Sequence, residues 1–234
     1  MAGFRVPGPV DRTTLAFATQ TGVQRPRARP PARRLRVDEK GHVIDPVVKL
    51  EIRPAIERAP MKAVHGIVLH QTGGSTAASA LNSYKNAGAN GAHFLIDKDG
   101  TIYQTASLLR ATNHVGALKS RCKQELSCTP AEQAALKGKR DGKQTGRVEA
   151  AKSWPDRYPG NQETLGLEFV GAASPKPGSK TGEEIYEPVT AAQQQALDWL
   201  LPRLLEHFQV KTTEIFRHPD VSWKMPTEAS SLRW

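Results

Sequence analysis

Three short apolar segments, far apart in the sequence, each lead to a histidine or a glutamate. Residues 66–70 end in His70, residues 164–170 contain Glu168, and residues 215–216 precede His218 by two positions. Short apolar runs rich in β-branched residues predict buried strands. In open α/β sheets, functional groups lie beyond the carboxyl ends of the strands. The pattern therefore predicts a sheet that gathers these three side chains at one edge.

The segments around these strands alternate between extended and helical patterns. Residues 47–52 alternate like a strand, and residues 92–96 and 101–104 flank an Asp/Gly loop that is typical of a β-hairpin. Residues 77–87 and 190–208 carry apolar residues at helical spacing. This order predicts an α/β fold: a single domain with a central mixed β-sheet flanked by helices and a site at the strand ends.

Charge divides the chain into a nearly neutral body and two basic parts. Residues 1–40 hold nine Lys/Arg and three Asp/Glu, and residues 117–160 hold ten and five, in a chain of net charge +10. We predict a basic, flexible N-terminal arm over residues 1–45, a folded domain over 46–234 and a basic surface insertion at about 117–160. The charge favours either a polyanionic partner or simple solvation.

Several classes of function are disfavoured by composition. Aromatic residues make up 6% of the chain and no nucleic-acid-binding module is recognisable, so we predict no nucleic-acid partner. No apolar run reaches the roughly 18 residues of a membrane span. The first residues lack the apolar stretch of a signal peptide, so we expect no cleaved export signal. Cys122 and Cys128 fit either a small disulfide loop or two free thiols.

Five segments, in this order, resemble those of a known zinc amidase family. That family includes the N-acetylmuramoyl-L-alanine amidases, the bacteriophage T7 lysozyme type and the peptidoglycan-recognition proteins. A lone histidine is more often structural than a metal ligand, so the resemblance depends on all five segments together. It covers about residues 62–234. The matching segments are Ile-Val-Leu-His-Gln-Thr at 67–72, the hairpin at 91–104, Asn-His-Val-Gly at 113–116, Asn-Gln-Glu-Thr-Leu-Gly-Leu-Glu at 161–168, and His-Pro-Asp-Val at 218–221.

The resemblance implies a Zn²⁺ site with one position left open for water. His70 and His218 would be the two histidine ligands. The family's third ligand, an Asp or a Cys, lies eight or ten residues after the second histidine. Position 226 is Pro226, and position 228 is Glu228, which we predict as the third ligand although it is one methylene longer than Asp. Asp220 is the alternative.

The resemblance also implies catalytic and substrate-contacting residues. Glu168 would be the general base, as in the muropeptide-cleaving branch, although a glutamate there fits a structural ion pair as well. Lys224 would stabilise the oxyanion. We predict that His93, His114 and Trp223 contact the substrate, His93 and His114 having a structural role as their other interpretation.

The implied activity is hydrolysis of the amide bond between N-acetylmuramic acid and L-alanine in peptidoglycan or released muropeptides. The alternative is a non-catalytic module that only binds peptidoglycan. We expect action in the periplasm or on the cell wall after non-classical secretion, as an antibacterial effector or a phage-type lysin, with an immunity protein or a secretion machine as partner. Cytoplasmic muropeptide recycling is the other setting.

Overall fold

A computed structural model describes residues 34–139 and 142–234 of the chain. Within these ranges it contains nine strands and six α-helices, which alternate as the sequence pattern predicts. The strands are β1 (Val48–Leu50), β2 (Glu57–Pro60), β3 (Gly66–Gly73), β4 (Phe94–Ile96), β5 (Ile102–Gln104), β6 (Arg110–Thr112), β7 (Thr164–Pro175), β8 (Glu184–Tyr186) and β9 (Ile215–Arg217). The helices are α1 (Ala77–Ser83), α2 (Arg121–Gln124), α3 (Pro130–Leu136), α4 (Gly142–Ala150), α5 (Ala191–Phe208) and α6 (His218–Val221).

The main sheet is mixed and has the order β1-β5-β4-β7-β3-β9, with β8 as an additional partner of β7. The β4–β5 and β7–β8 pairs are antiparallel, and the other pairs of this sheet are parallel. Strands β2 and β6 form a separate antiparallel pair. The predicted α/β fold, a central mixed sheet flanked by helices, is confirmed.

Strand β3 lies between β7 and β9, and its side chains point alternately to the two faces of the sheet. Ile67 and Leu69 point to one face, where they join the core cluster that contains α5. Val68 points to the opposite face, into a second cluster, and His70 follows it on that face because side chains alternate along a strand. His70 is in register with Glu168 of β7. The ladder therefore sets these two side chains next to each other.

Helix α5 covers the face away from His70. Its N-cap, Thr190, accepts a hydrogen bond from the backbone N–H of Gln193, whose side chain binds the Thr190 backbone in return, forming a capping box. The helix ends at Phe208, and its C-cap, Gln209, adopts a left-handed conformation. No helix within the described ranges is long and apolar enough to cross a membrane. The buried face of α5 consists of Gln193, Ala196, Leu197, Leu200, Leu201 and Leu204.

Part of the predicted N-terminal arm is packed onto the domain. Leu35 and Val43 are buried in the main core cluster. The side chain of Gln104 accepts a hydrogen bond from Val43 N and donates one to Gly41 O. Folded structure therefore begins before residue 46. The remainder of the predicted arm, residues 1–33, lies outside the described residues.

The basic insertion contains α2, α3 and α4 in the part that the structure describes. Cys122 and Cys128 form a disulfide that closes a loop between α2 and α3, which decides between the two alternatives that the sequence left open. Arg121 makes a bidentate ion pair with Glu214, just before β9. The insertion is thus fastened to the sheet next to the strand that leads to His218.

Candidate metal centre and catalytic cleft

A cleft of about 1200 Å³ opens beside the carboxyl ends of β3 and β9. His70, Glu168, His218 and Glu228 all line it, although they come from separate parts of the sequence. His70 belongs to β3 and Glu168 to its neighbour β7, while His218 begins α6 directly after β9. This is the edge at which an open α/β sheet places its functional groups.

Three of these side chains converge closely enough to hold one ion. His70 Nδ1 lies 2.9 Å from His218 Nδ1 and 3.6 Å from Glu228 Oε1, and His218 Nδ1 lies 2.9 Å from Glu228 Oε1. All three residues are buried. Both imidazoles present the same ring nitrogen, Nδ1, to the shared centre.

The outer nitrogen of each imidazole also has a partner. His218 Nε2 lies 2.9 Å from the carbonyl oxygen of Val115. A carbonyl only accepts, so Nε2 carries the proton and Nδ1 keeps a lone pair. His70 Nε2 lies 3.0 Å from His114 Nδ1. Outer hydrogen bonds of this kind orient histidines that bind metals.

The protonation states of the cluster suit a metal. Burial lowers the pKa of His70 to about 4, which leaves its imidazole neutral near pH 7. Burial alone would raise the pKa of Glu228, but the close approach of His218 and His70 outweighs that effect and lowers the pKa to about 2. Neutral imidazole and ionised carboxylate are the forms that bind a cation.

The donor set fits a tetrahedral metal with one open position. Three electron-pair donors that meet at 2.9–3.6 Å repel one another unless a cation lies between them. Ligands at zinc distances of about 2.1 Å lie roughly 3.4 Å apart in a tetrahedron, close to the separations observed. The two histidines and Glu228 could therefore hold such an ion, with the cleft supplying the fourth direction.

Asp220, the alternative third ligand, is not part of this cluster. Its carboxylate accepts a hydrogen bond from Arg217 N, so it caps the short helix α6. Glu228 is supported by the backbone that follows it. Ala229 has φ 57° and donates its N–H to Gln71 Oε1 at 2.8 Å. This bond fixes the loop that carries the longer glutamate side chain to the two histidines.

Glu168 lies beside the candidate metal centre and accepts a hydrogen bond from a tyrosine. The Tyr84 hydroxyl donates a hydrogen bond to Glu168 Oε2. Burial raises the pKa of Glu168, while the bond from Tyr84 opposes that rise. A carboxylate whose pKa is raised toward neutrality exchanges protons more effectively near pH 7. No arginine among the described residues pairs with Glu168, so these residues do not form the structural ion pair that was the alternative role for this glutamate.

Lys224 and Trp223 line the cleft, and both are exposed. The charge of Lys224 lowers the pKa of both His70 and Glu168, so its ammonium acts on the same small region. Trp223 is 50% exposed and packs closely against Gly142 at the start of α4. The insertion therefore supports one side of the cleft.

The prediction that His93 contacts substrate is wrong. His93 is completely buried, and both of its ring nitrogens bind backbone, Nε2 to Arg110 O and Nδ1 to Gly166 N. Its other interpretation, a structural role, agrees with these contacts. His114 does line the cleft, but its Nδ1 faces His70 and its Nε2 faces Thr164, at 3.2 Å from Oγ1.

Two residues that the sequence did not single out shape the site. Tyr84 lies on α1's C-terminal side, where nothing in the local pattern separates it from an ordinary packing tyrosine. Asn161 accepts hydrogen bonds at Oδ1 from the backbone N–H groups of His114 and Val115. Its position in the matched Asn-Gln-Glu-Thr segment is the signal that could have marked it.

A family model described as N-acetylmuramoyl-L-alanine amidase matches residues 60–229, which include all of the converging side chains. The chain belongs to this amidase family. The resemblance seen in the sequence is thereby confirmed, and with it the enzyme class: an N-acetylmuramoyl-L-alanine amidase that acts on peptidoglycan. A comparison of the amidase with curated proteins gives no match.

Solved structures similar to the amidase include several endolysins. A mutant endolysin from Bacillus subtilis is 16% identical, with a TM-score of 0.43, over 74% of this chain and 84% of the other. The amidase LysCS from Clostridium intestinale is 17% identical, with a TM-score of 0.42, over 76% and 85%. AmpDH3 from Pseudomonas aeruginosa is 19% identical, with a TM-score of 0.43, over 68% of this chain and 51% of that one.

Proposed function

We propose that this amidase uses Zn²⁺ to hydrolyse the amide bond between N-acetylmuramic acid and L-alanine. The observation that supports this most directly is the convergence of His70 Nδ1, His218 Nδ1 and Glu228 Oε1 in the cleft wall. Two imidazoles and one carboxylate form the type of donor set that catalytic zinc sites use. A zinc ion bound there would supply Lewis-acid activation of water and of the substrate carbonyl.

The residues around the centre would carry the proton and stabilise charge. Glu168 accepts the proton of the attacking water and delivers it to the leaving nitrogen of L-alanine. Tyr84 holds one carboxylate oxygen of Glu168, Oε2, which leaves Oε1 for this exchange. Lys224 lies at the cleft with its ammonium free to face the negative oxygen that develops on the lactyl carbonyl.

The cleft offers groups that suit both parts of a sugar–peptide substrate. Trp223 presents an exposed indole on which a sugar ring can pack. Asn90 and Asn113 also line the cleft and provide amide groups for hydrogen bonds. Intact peptidoglycan and released muropeptides share the same scissile bond, so both are candidate substrates.

The decisive experiment measures both the metal and the bond that is cut. Purified protein should contain about one zinc per chain by elemental analysis. It should release sugar-free stem peptides from sacculi, detected by mass spectrometry, together with glycan that keeps its lactyl acid. His70→Ala should lose both zinc and activity. Glu168→Gln should keep zinc and lose about 10²–10⁴ in rate, the share that a general base contributes.

Other outcomes would assign the site differently. A protein that binds zinc and stays bound to sacculi, but leaves them uncleaved after incubation, would be the non-catalytic binding module. Release of disaccharide-peptides with the muramoyl amide intact would place the cut at another bond. Activity that survives both chelation and His70→Ala would overturn the metal-dependent mechanism.

We further propose that the enzyme acts outside the cytoplasm, as an antibacterial effector or a lysin. The Cys122–Cys128 disulfide supports this setting because such bonds persist in oxidising compartments. Expression directed to the periplasm of a sensitive bacterium should then be toxic, whereas cytoplasmic expression should be harmless. Equal effects in both compartments would contradict the proposal. Glu168→Gln directed to the periplasm is the control, and it should be harmless.

A further inference from the structure

A line of hydrogen bonds runs from the metal centre into the sheet. His70 Nε2 lies 3.0 Å from His114 Nδ1, and His114 Nε2 lies 3.2 Å from Thr164 Oγ1. Thr164 Oγ1 in turn donates to the carbonyl oxygen of Gly160 at 2.9 Å. We propose that His114 is a positioning residue that fixes the proton of His70 on Nε2, so that His70 presents the lone pair of Nδ1 to a metal.

The donor and acceptor in each of these bonds follow from the last acceptor in the line, the Gly160 carbonyl. The Gly160 carbonyl only accepts, so the hydroxyl proton of Thr164 is used on it. Thr164 Oγ1 can therefore only accept from His114, which puts the proton of His114 on Nε2. His114 Nδ1 then carries a lone pair, and the bond to His70 requires a proton on His70 Nε2. One backbone carbonyl thus determines the tautomers of two histidines.

The backbone is adapted to hold His114 in this place. Gly166 lies under the imidazole, and a Cβ added there would come within 2.9 Å of His114 Nδ1 and 3.0 Å of Cγ. Side chains do not approach that closely, so only glycine allows the ring to lie against β7. His93, which accepts a hydrogen bond from Gly166 N, also contacts His114 edge-on, with ring centroids 5.8 Å apart.

His218 reaches the same tautomer by a different route. Its Nε2 donates to the carbonyl of Val115, one residue after His114. Asn161 binds the backbone N–H groups of both His114 and Val115 and so fixes the segment that supports the two metal-facing imidazoles. The segment 114–115 therefore orients both histidines, one through a side chain and one through a carbonyl.

This inference rests on the proposed metal site, and zinc affinity tests it apart from activity. Removing an outer partner of a metal-binding histidine typically costs 10–100-fold in affinity. His114→Leu should weaken zinc binding to that extent in a chelator competition. His114→Asn, whose side-chain oxygen lies near the place of Nδ1, should stay close to wild type. Ser83→Ala, a change at a cleft residue whose hydroxyl donates to Ala80 O within α1, should leave zinc affinity unaltered.

The tautomers are also directly observable in the unmutated protein. Long-range ¹H–¹⁵N spectra of the full, metal-free chain should show both His70 and His114 protonated at Nε2. A proton on His114 Nδ1 would overturn the inference even if His114→Leu fails to fold. Equal zinc affinity of wild type and His114→Leu, with only KM raised, would instead assign His114 to substrate binding. If wild-type protein binds no zinc, the proposed function itself fails.

Discussion

Tyr84, close to the end of helix α1, donates a hydrogen bond to the carboxylate of Glu168 in the middle of the sheet. Tyr84 is buried, with 4% of its surface exposed, so this bond is shielded from water. The two residues are 84 positions apart in the sequence. The contact fixes one oxygen of the proposed general base and leaves the other toward the cleft.

Tyr84→Phe should shift the pH dependence of the reaction. Burial raises the pKa of Glu168 and the Tyr84 hydrogen bond opposes that rise, so removal of the hydroxyl should raise the pKa further. The carboxylate is the active form of a base, and its fraction at acidic pH should fall. The acid limb of the kcat/KM profile should therefore move to higher pH. An unchanged limb with a uniformly lower kcat would contradict this role for Tyr84.

Lys224→Ala should reduce catalysis without affecting the metal. Lys224 is exposed and lines the cleft, so its loss should not disturb folding. Removal of one group that stabilises an oxyanion typically costs about 10²–10³ in kcat. Steady-state kinetics and zinc content, measured on the same preparation, should show this loss at full zinc occupancy. Lys224→Arg should recover part of the activity, and a wild-type kcat in Lys224→Ala would remove this residue from the mechanism.

The fold could be predicted well from the sequence because its elements are set locally. Strand β3 is a short apolar run that must be buried, and α5 begins with a threonine cap and continues with apolar residues at helical spacing. The parallel pairing of β3 with β7, by contrast, is a long-range contact that neither segment specifies by itself. The insertion gave no such periodicity, and its three helices were not predicted.

The site was predicted only where a motif carried it. The family resemblance placed His70, His218 and Glu228 together, and the structure brings them together. His93 belongs to an equally distinctive segment, yet it is buried against the backbone. A sequence pattern shows that a polar residue is required but not which way its ring points. Tyr84 was missed because its role depends on the docking of α1 against β7.

Acid should destabilise the fold through His93. Burial lowers its pKa to about 4, against an ordinary value of 6.5. The unfolded chain therefore binds the proton more readily than the folded protein. The stability that neutral, buried His93 contributes is fully present above pH 6.5 and is lost as pH falls toward 4. Its size is about 3 kcal/mol. Urea unfolding of metal-free protein between pH 7 and 4.5 should show this slope, and His93→Asn should flatten it. If the free energy of unfolding falls with pH equally in wild type and His93→Asn, the acid sensitivity belongs to other groups.

Reduction of the disulfide should affect stability more than catalysis. A bridge between residues six positions apart stabilises a fold by about 2 kcal/mol, mainly by restricting the unfolded chain. The cleft side of the insertion has its own bonds, Lys119 N to Val221 O and Ser222 Oγ to Ala117 O, each 2.8 Å. Dithiothreitol should thus lower the free energy of unfolding and leave kcat nearly unchanged. A Cys122→Ser/Cys128→Ser variant, used as control, should not respond to the reductant.

Glu228 tests how the chain accommodates a ligand longer than the family's aspartate. Glu228→Gln removes the negative charge and should weaken zinc binding by more than the roughly 100-fold typical of an outer partner. Glu228→Asp keeps the charge but draws the carboxylate back by one methylene. The bond from Ala229 N to Gln71 Oε1 holds the loop in place, so the shorter side chain should not reach the two histidines.

We therefore expect zinc affinity in the order wild type, then Glu228→Asp, then Glu228→Gln, by chelator competition. Ser230→Ala, at an exposed position of the same loop, is the matched control and should bind zinc as wild type does. Full affinity in Glu228→Asp would mean that the loop moves inward by the missing methylene. In that case, adding Gln71→Ala to Glu228→Asp, which releases Ala229, should change the zinc affinity no further. If the loop is fixed instead, the added Gln71→Ala should restore part of the zinc affinity that Glu228→Asp lost.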